Sequence, residues 1–170
     1  MTGTVSWEIE RPFLVRVHED VWPRLGTGSH LKQGYIRNGS PSVRVRLGEE
    51  RGAVLTSKSG SGIRRREVEV VIPDQIAGAL FLSADDRVVE KIRWKVGPWE
   101  LDRLIGPLEG VTLMEIELEE ERDTLPDPRP GVQILREGTD DKRCCKRRLA
   151  RISSDEKRNL IRKPYAEVQG

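Results

Sequence analysis

The feature that most constrains this chain is a two-residue alternation that gathers charges of one sign on one face of each candidate strand. Residues 7 to 15 read WEIERPFLV, with Glu8 and Glu10 on one face and Ile9, Phe13 and Val15 on the other. VRVRL groups Arg44 with Arg46, LTSK adds Lys58, and REVEV groups Glu67 with Glu69. EKIRWK sets Lys91, Arg93 and Lys95 against Ile92, Trp94 and Val96, while WELD supplies Glu100 and Asp102, and MEIEL supplies Glu115 and Glu117. Helical periodicity is scarce. QIAGALFL, with Asp74 placed to cap it, is the one convincing apolar helix before the C-terminal region. About eight strands of ordinary length are predicted.

An antiparallel sheet with one wet face accounts for any single strand of this kind, because charges can pair across neighbouring strands. Repetition of same-sign pairs asks for more. Like charges two residues apart repel, so acidic pairs call for a divalent cation and basic pairs for a polyanion. Hard cations take carboxylate oxygens and share their coordination with phosphate. Arginine and lysine give charge-assisted hydrogen bonds to the same phosphates. Closing the sheet into a barrel would gather both sets around one axis and remove the exposed edges. The pattern therefore predicts a charged tunnel for a metal-bound oligophosphate.

Composition narrows the alternatives. Charged residues make up 34% of the chain, yet 30 Lys and Arg stand against 28 Asp and Glu, a net charge of +2. That balance argues against a simple nucleic-acid binder. The basic segment DDKRCCKRRLARI reads as a solvated helix with acids toward its N-terminal end and bases toward the other, as the helix dipole favours. No nucleic-acid partner is expected, and a homodimer stays open. There is no long apolar run and no leader pattern, so neither a membrane partner nor export is expected. Cys144 and Cys145 are adjacent and have no second pair with which to build a zinc site. They read as free thiols of a reducing cytoplasm. SKSGSG lacks the spacing of a phosphate-binding P-loop and reads as a flexible hairpin loop. The domain is expected over residues 1–152, with a polar tail over 153–170.

The motifs in series resemble the CYTH domains, or triphosphate tunnel metalloenzymes. EIERPFLV is similar to the family's E-x-E-x-K opening strand, and QGYI, VRVRL, LTSKSG, REVEVVIP, VEKIRWKV, WELDRLIGPLEGVTLMEIELE and TDDKRCCKRRLA follow in the family's order. The resemblance implies a mainly β (α+β) fold, a closed eight-stranded antiparallel β-barrel with a few peripheral helices. It implies Mg²⁺ or Mn²⁺ as cofactor and hydrolysis of inorganic tripolyphosphate, as in the short bacterial members. A tunnel that only binds polyphosphate or nucleoside triphosphate is the alternative, with thiamine triphosphatase or adenylate cyclase activity behind it. Carried over by residue, Glu8, Glu10, Glu69, Glu115 and Glu117, and less surely Glu67, match metal-side acids. Arg44, Arg46, Lys58, Lys91 and Arg93 match phosphate-gripping bases, and Lys91 also matches a lysine that helps activate water. The sequence departs from the pattern at Pro12, where the family has its motif lysine. It departs again at Cys144 and Lys146, where the family has tyrosine and asparagine after matches at Asp141 and Arg143. A bulge at Pro12 would turn Arg11 toward the lumen as a substitute cation.

Overall fold

In the computed structural model, which describes residues 3–48, 52–85, 87–139, 149–150 and 155–156, the alternating segments form β1 (Gly3–Val17), β2 (Ser29–Arg37), β3 (Ser42–Gly48), β4 (Gly52–Ser59), β5 (Arg64–Ile72), β6 (Val88–Val96), β7 (Trp99–Leu104), β8 (Thr112–Leu118) and β9 (Val132–Glu137). The strands run in the order β5-β4-β3-β2-β6-β7-β8-β1-β9, and an additional β5–β1 pairing closes the first eight into a barrel. Every pairing is antiparallel. The closed eight-stranded barrel expected from the alternation is what forms, with β9 added to it.

Strand β1 is 15 residues long because it serves more than one neighbour on the same edge. Its first half, Gly3 to Ile9, pairs with β5, and its last part, Phe13 to Val17, pairs with β9. The opposite edge pairs with β8 from Ile9 to Leu14. The register places Pro12 opposite Glu115 with no slip. The Pro12 carbonyl accepts from the Gly138 N–H at 2.7 Å. A strand residue presents its nitrogen and its carbonyl to the same edge, so the donor that proline lacks would also face Gly138, at the end of the β9 ladder where β5 hands over. The ladder keeps one bond of that pair and forgoes the other.

Three apolar clusters support the barrel. Phe13, Val15, Trp99, Leu101, Met114, Ile116 and Val132 pack together on its outer surface, with Trp22, Leu25 and Leu125 against them. The helix α1 (Asp74–Leu82) packs through Ala77, Leu80 and Phe81 on Val45, Ala53 and Ile72. Its N-cap is Pro73, and no side chain caps it. Asp74, expected as the cap, is instead the first helical residue, where its charge still favours the helix dipole. The third cluster lies inside. Leu14, Tyr35, Val89, Leu104 and Leu113 belong to the lumen-facing sets of their strands and are almost fully buried with Leu149 and Ala150. They fill the barrel beyond its charged layer. Full burial of each such leucine stabilises the fold by about 2–3 kcal/mol.

Most of the basic segment expected as a helix lies outside the described residues, including Asp141, Arg143, Cys144, Cys145 and Lys146. So does the tail, apart from Asp155 and Glu156. Among the described residues no helix is long and apolar enough to cross a membrane.

Candidate active site

Inward-facing positions of the strands enclose a cavity of about 1120 Å³. Glu8, Glu10 and Pro12 reach it from β1, Arg44 and Arg46 from β3, Thr56 and Lys58 from β4, and Arg65, Glu67 and Glu69 from β5. Arg93 comes from β6, Glu100 from β7, and Glu115 and Glu117 from β8. The alternation read from the sequence thus converges on one lumen, and strand register decides which charges meet. Lys58 stands opposite Glu67, Arg93 opposite Asp102, and Glu10 directly opposite Glu117.

At one side of the cavity, Lys58 Nζ lies 2.6 Å from Glu8, 2.6 Å from Glu67 and 3.9 Å from Glu10. Arg65 Nη2 donates to Glu10 at 2.9 Å and reaches Glu8 at 3.4 Å. These cations do not fully offset the crowding of the acids. Burial first, and then the neighbouring Glu10 charge, raise Glu8 from 4.5 to about 7 against the pull of Lys58. Burial and the charges of Glu10 and Glu67 raise Glu117 as well. Glu117 makes no ion pair among the described residues.

Across the lumen the bases dominate. Arg46 lies 3.7 Å from Glu69, whose carboxylate also accepts from Thr56 at 3.0 Å. Despite burial, the charges of Arg46 and Arg44 and the Thr56 hydrogen bond hold Glu69 below its ordinary value. Arg44 makes no ion pair among the described residues, and its Nε is buried without a hydrogen-bond partner there. Burial works against its charge, but the fields of Tyr35, Glu67, Glu10 and Glu8 outweigh that and hold it firmly protonated.

A third group anchors Arg93. Its guanidinium donates to both oxygens of Asp102, at 2.6 and 2.7 Å, to Glu115 at 3.1 Å, and to Glu100. Burial is outweighed by these acids, Asp102 foremost, and the arginine is raised. Lys91 bonds the same Asp102 at 2.6 Å, and both side chains are 0% exposed. Sequence reasoning placed Lys91 beside the attacking water. Lys91 shares the lumen-facing set of β6 with Val89 and Arg93, and its ammonium is fully buried beneath the cavity, where Asp102 links it to Arg93. Asp102 was noticed only as one half of an acidic pair, and its pairing with both Lys91 and Arg93 is what marks it.

Two further placements differ from expectation. Arg11 does not turn inward, because β1 keeps a regular register with β8 through Pro12. It points outward, donates to both oxygens of Glu137 at 2.8 and 2.7 Å, and lies over the Phe13 ring at 5.7 Å. Arg65 went unnoticed in the sequence because it is the middle of three consecutive arginines in a hairpin arm. Its two-residue spacing from Glu67 and Glu69 puts it on their face, and the register sets it opposite Glu8 in the lumen.

Oxygen donors from adjacent strands, crowded enough to raise Glu8 and Glu117, suit a hard divalent cation. Among the described residues no three acids converge as a ready-made metal cage. Lys58 and Arg65 hold Glu8 and Glu10 meanwhile.

Comparison with known proteins completes the picture. The chain is 33% identical over 164 residues to an inorganic triphosphatase of Acetivibrio thermocellus, covering 93% of this chain and 95% of that protein. It is 32% identical over 152 residues to an inorganic triphosphatase of Nitrosomonas europaea, covering 84% and 96%. The crystal structure of the inorganic triphosphatase NE1496 superposes with a TM-score of 0.55 at 28% identity, covering 86% of this chain and 95% of that one. No protein-family model matches.

Proposed function

Because the chain belongs to the CYTH-like inorganic triphosphatase family, we propose that it hydrolyses inorganic tripolyphosphate to pyrophosphate and orthophosphate inside the charged lumen. One observation carries this reading. The lumen holds charge of both signs without a direct ion-pair partner among the described residues, Arg44 on one wall and Glu117 on the other. A ligand that satisfies both carries phosphate oxygens and a cation together.

In this reading Glu8, Glu10 and Glu117 would hold Mg²⁺ or Mn²⁺, whereas Glu69 and Glu115, expected with them as metal-side acids, are engaged by Arg46 and Arg93 and orient those bases. The ion, when bound, neutralises charge developing on the phosphoryl oxygens. Arg44, Arg46, Lys58 and Arg93 grip the phosphate chain with charge-assisted hydrogen bonds. Arg93 is held by three carboxylates, so it meets the substrate with little loss of side-chain freedom. The barrel excludes bulk water and leaves room for the one that attacks in line with the leaving pyrophosphate. Lys58 is paired with Glu8 and Glu67, so a cation held by Glu8 and Glu10 would leave its ammonium available to phosphate.

Phosphate release from tripolyphosphate, ATP and thiamine triphosphate, each with Mg²⁺ or Mn²⁺, tests the proposal. Tripolyphosphate is expected to turn over fastest, and Glu8→Gln/Glu10→Gln to be inactive. If the wild type is no faster than this variant on every substrate while still binding tripolyphosphate, the protein is a binding module instead.

A further inference from the structure

Gln33 stands apart from the charges of the lumen as a buried neutral amide. We propose that its side-chain carbonyl holds the attacking water at the inner end of the cavity, in line with the terminal phosphate of the bound chain. This rests on the triphosphate reading above.

The placement follows from alternation. The apolar cluster that fills the inner end of the barrel takes Leu14, Tyr35, Val89, Leu104 and Leu113 from five strands. One inward step toward the cavity, the same strands present Pro12, Gln33, Lys91, Asp102 and Glu115. In that ring Lys91 and Asp102 are locked together at 2.6 Å, and Glu115 lies 3.1 Å from Arg93. Pro12 offers no polar side-chain atom. Gln33 lines the cavity and is 1% exposed, and its Oε1 is buried with no hydrogen-bond partner among the described residues. An unpaired buried acceptor destabilises a fold, so packing alone gives no reason for glutamine there. Across to β3, Gln33 stands directly opposite Arg46, and Tyr35 stands opposite Arg44. A phosphate gripped by those two arginines would lie beside Gln33, with the apolar cluster behind it and the rest of the chain toward the open cavity. A water on the inner side donates one O–H to Gln33 Oε1 and turns a lone pair to phosphorus. Its oxygen forms the new P–O bond while the bridging P–O bond breaks and its electron pair leaves with pyrophosphate. One water proton stays on orthophosphate and the other ends on pyrophosphate, so Gln33 orients the water and takes no proton.

The rival is a Gln33 amide that donates to phosphate and serves binding. Gln33→Met keeps the length of the side chain and removes both polar atoms, and Gln33→Leu answers the question if that variant does not fold. The kcat and KM for tripolyphosphate with Mg²⁺ are measured beside the affinity, by calorimetry, for the non-hydrolysable imido analogue of tripolyphosphate. We expect kcat to fall by about ten- to a hundredfold, the cost of a misplaced nucleophile, with KM and affinity within about twofold of the wild type. The melting temperature should equal or exceed that of the wild type, because the variant buries no unpaired acceptor. An unchanged kcat, or a loss of affinity as large as the loss in kcat/KM, overturns the assignment and leaves the triphosphatase reading intact. A wild type that neither binds the analogue nor hydrolyses tripolyphosphate overturns both.

Discussion

Glu8 offers a direct test of the lumen's electrostatics that needs no substrate. Its side chain is 12% exposed, and burial together with Glu10 raises it from 4.5 to about 7. The sign follows from linkage. In the window between those values the folded protein holds a proton that the unfolded chain has released, so the slope of stability against pH is negative. The contribution is fully present below the unfolded value and is lost as pH rises through the folded one. At 1.36 kcal/mol per pH unit the loss is on the order of 3 kcal/mol. Glu8→Gln cannot ionise and should escape it. Urea unfolding in EDTA at pH 5, 6, 7 and 8 measures both proteins. The difference between them cancels the background from groups that do not interact with Glu8. As pH rises from 5 to 8, that difference should move toward the variant by an amount of this order. Glu10 is the second cause of the shift, so Glu10→Gln should move the Glu8 transition to lower pH. A constant difference between wild type and Glu8→Gln across the range, or a move in favour of the wild type, would refute the reasoning.

Two other perturbations separate buried from exposed charge. Asp102→Asn leaves the fully buried Lys91 ammonium without its anionic partner, so thermal or urea unfolding should report a loss of about 3–5 kcal/mol. KM for tripolyphosphate should also rise as Arg93 loosens, and an unchanged unfolding midpoint would contradict the clamp. Arg11→Ala removes an outward pair with Glu137 whose side chains are 24% and 37% exposed, so stability should fall by less than about 1 kcal/mol. Its rate and KM should match the wild type within about twofold; a larger loss would return Arg11 to the site.

The barrel was legible because its inner and outer faces differ so sharply in chemistry. Period-two alternation marks strands, and same-sign pairs such as Arg44 with Arg46 mark the inner face before any register is known. What stayed hidden depends on register. Lys58 reads as a lone cation until β4 and β5 pair and bring Glu67 against it. Arg11 and Arg65 are both arginines beside an acidic pair, yet alternation puts Arg65 on the face of Glu67 and Glu69 and Arg11 on the face opposite Glu8 and Glu10. The expected bulge at Pro12 misplaced Arg11, and the run of three arginines hid Arg65. Strand β9 was missed because VQILRE follows a proline-rich stretch and is only 6 residues long. It adds to the one part of the β1 edge that β5 leaves free. Asp74 misled as a cap because Pro73, extended at φ −60° and ψ 145°, already occupies that position.

Pro12 joins the fold and the site in one residue. A lysine at that position contributes an ammonium to the lumen and a backbone donor to the strand edge. The structure limits the loss of the donor, because the edge there lies between the last β5 pair at Ile9 and the first β9 pair at Phe13, and the Pro12 carbonyl still accepts from Gly138. Proline therefore costs the ladder one bond at the end of β9, and the regular pairing with Glu115 on the other edge is kept. The ammonium is a different matter, since Glu10 and Glu117 face each other directly and their mutual repulsion needs positive charge nearby. The inward Arg65 of β5 supplies part of it, at 2.9 Å from Glu10. A lumen built from adjacent strands pools their charges, and register sets which of them share a layer. Register, more than the motif of any single strand, decides whether this lumen is complete.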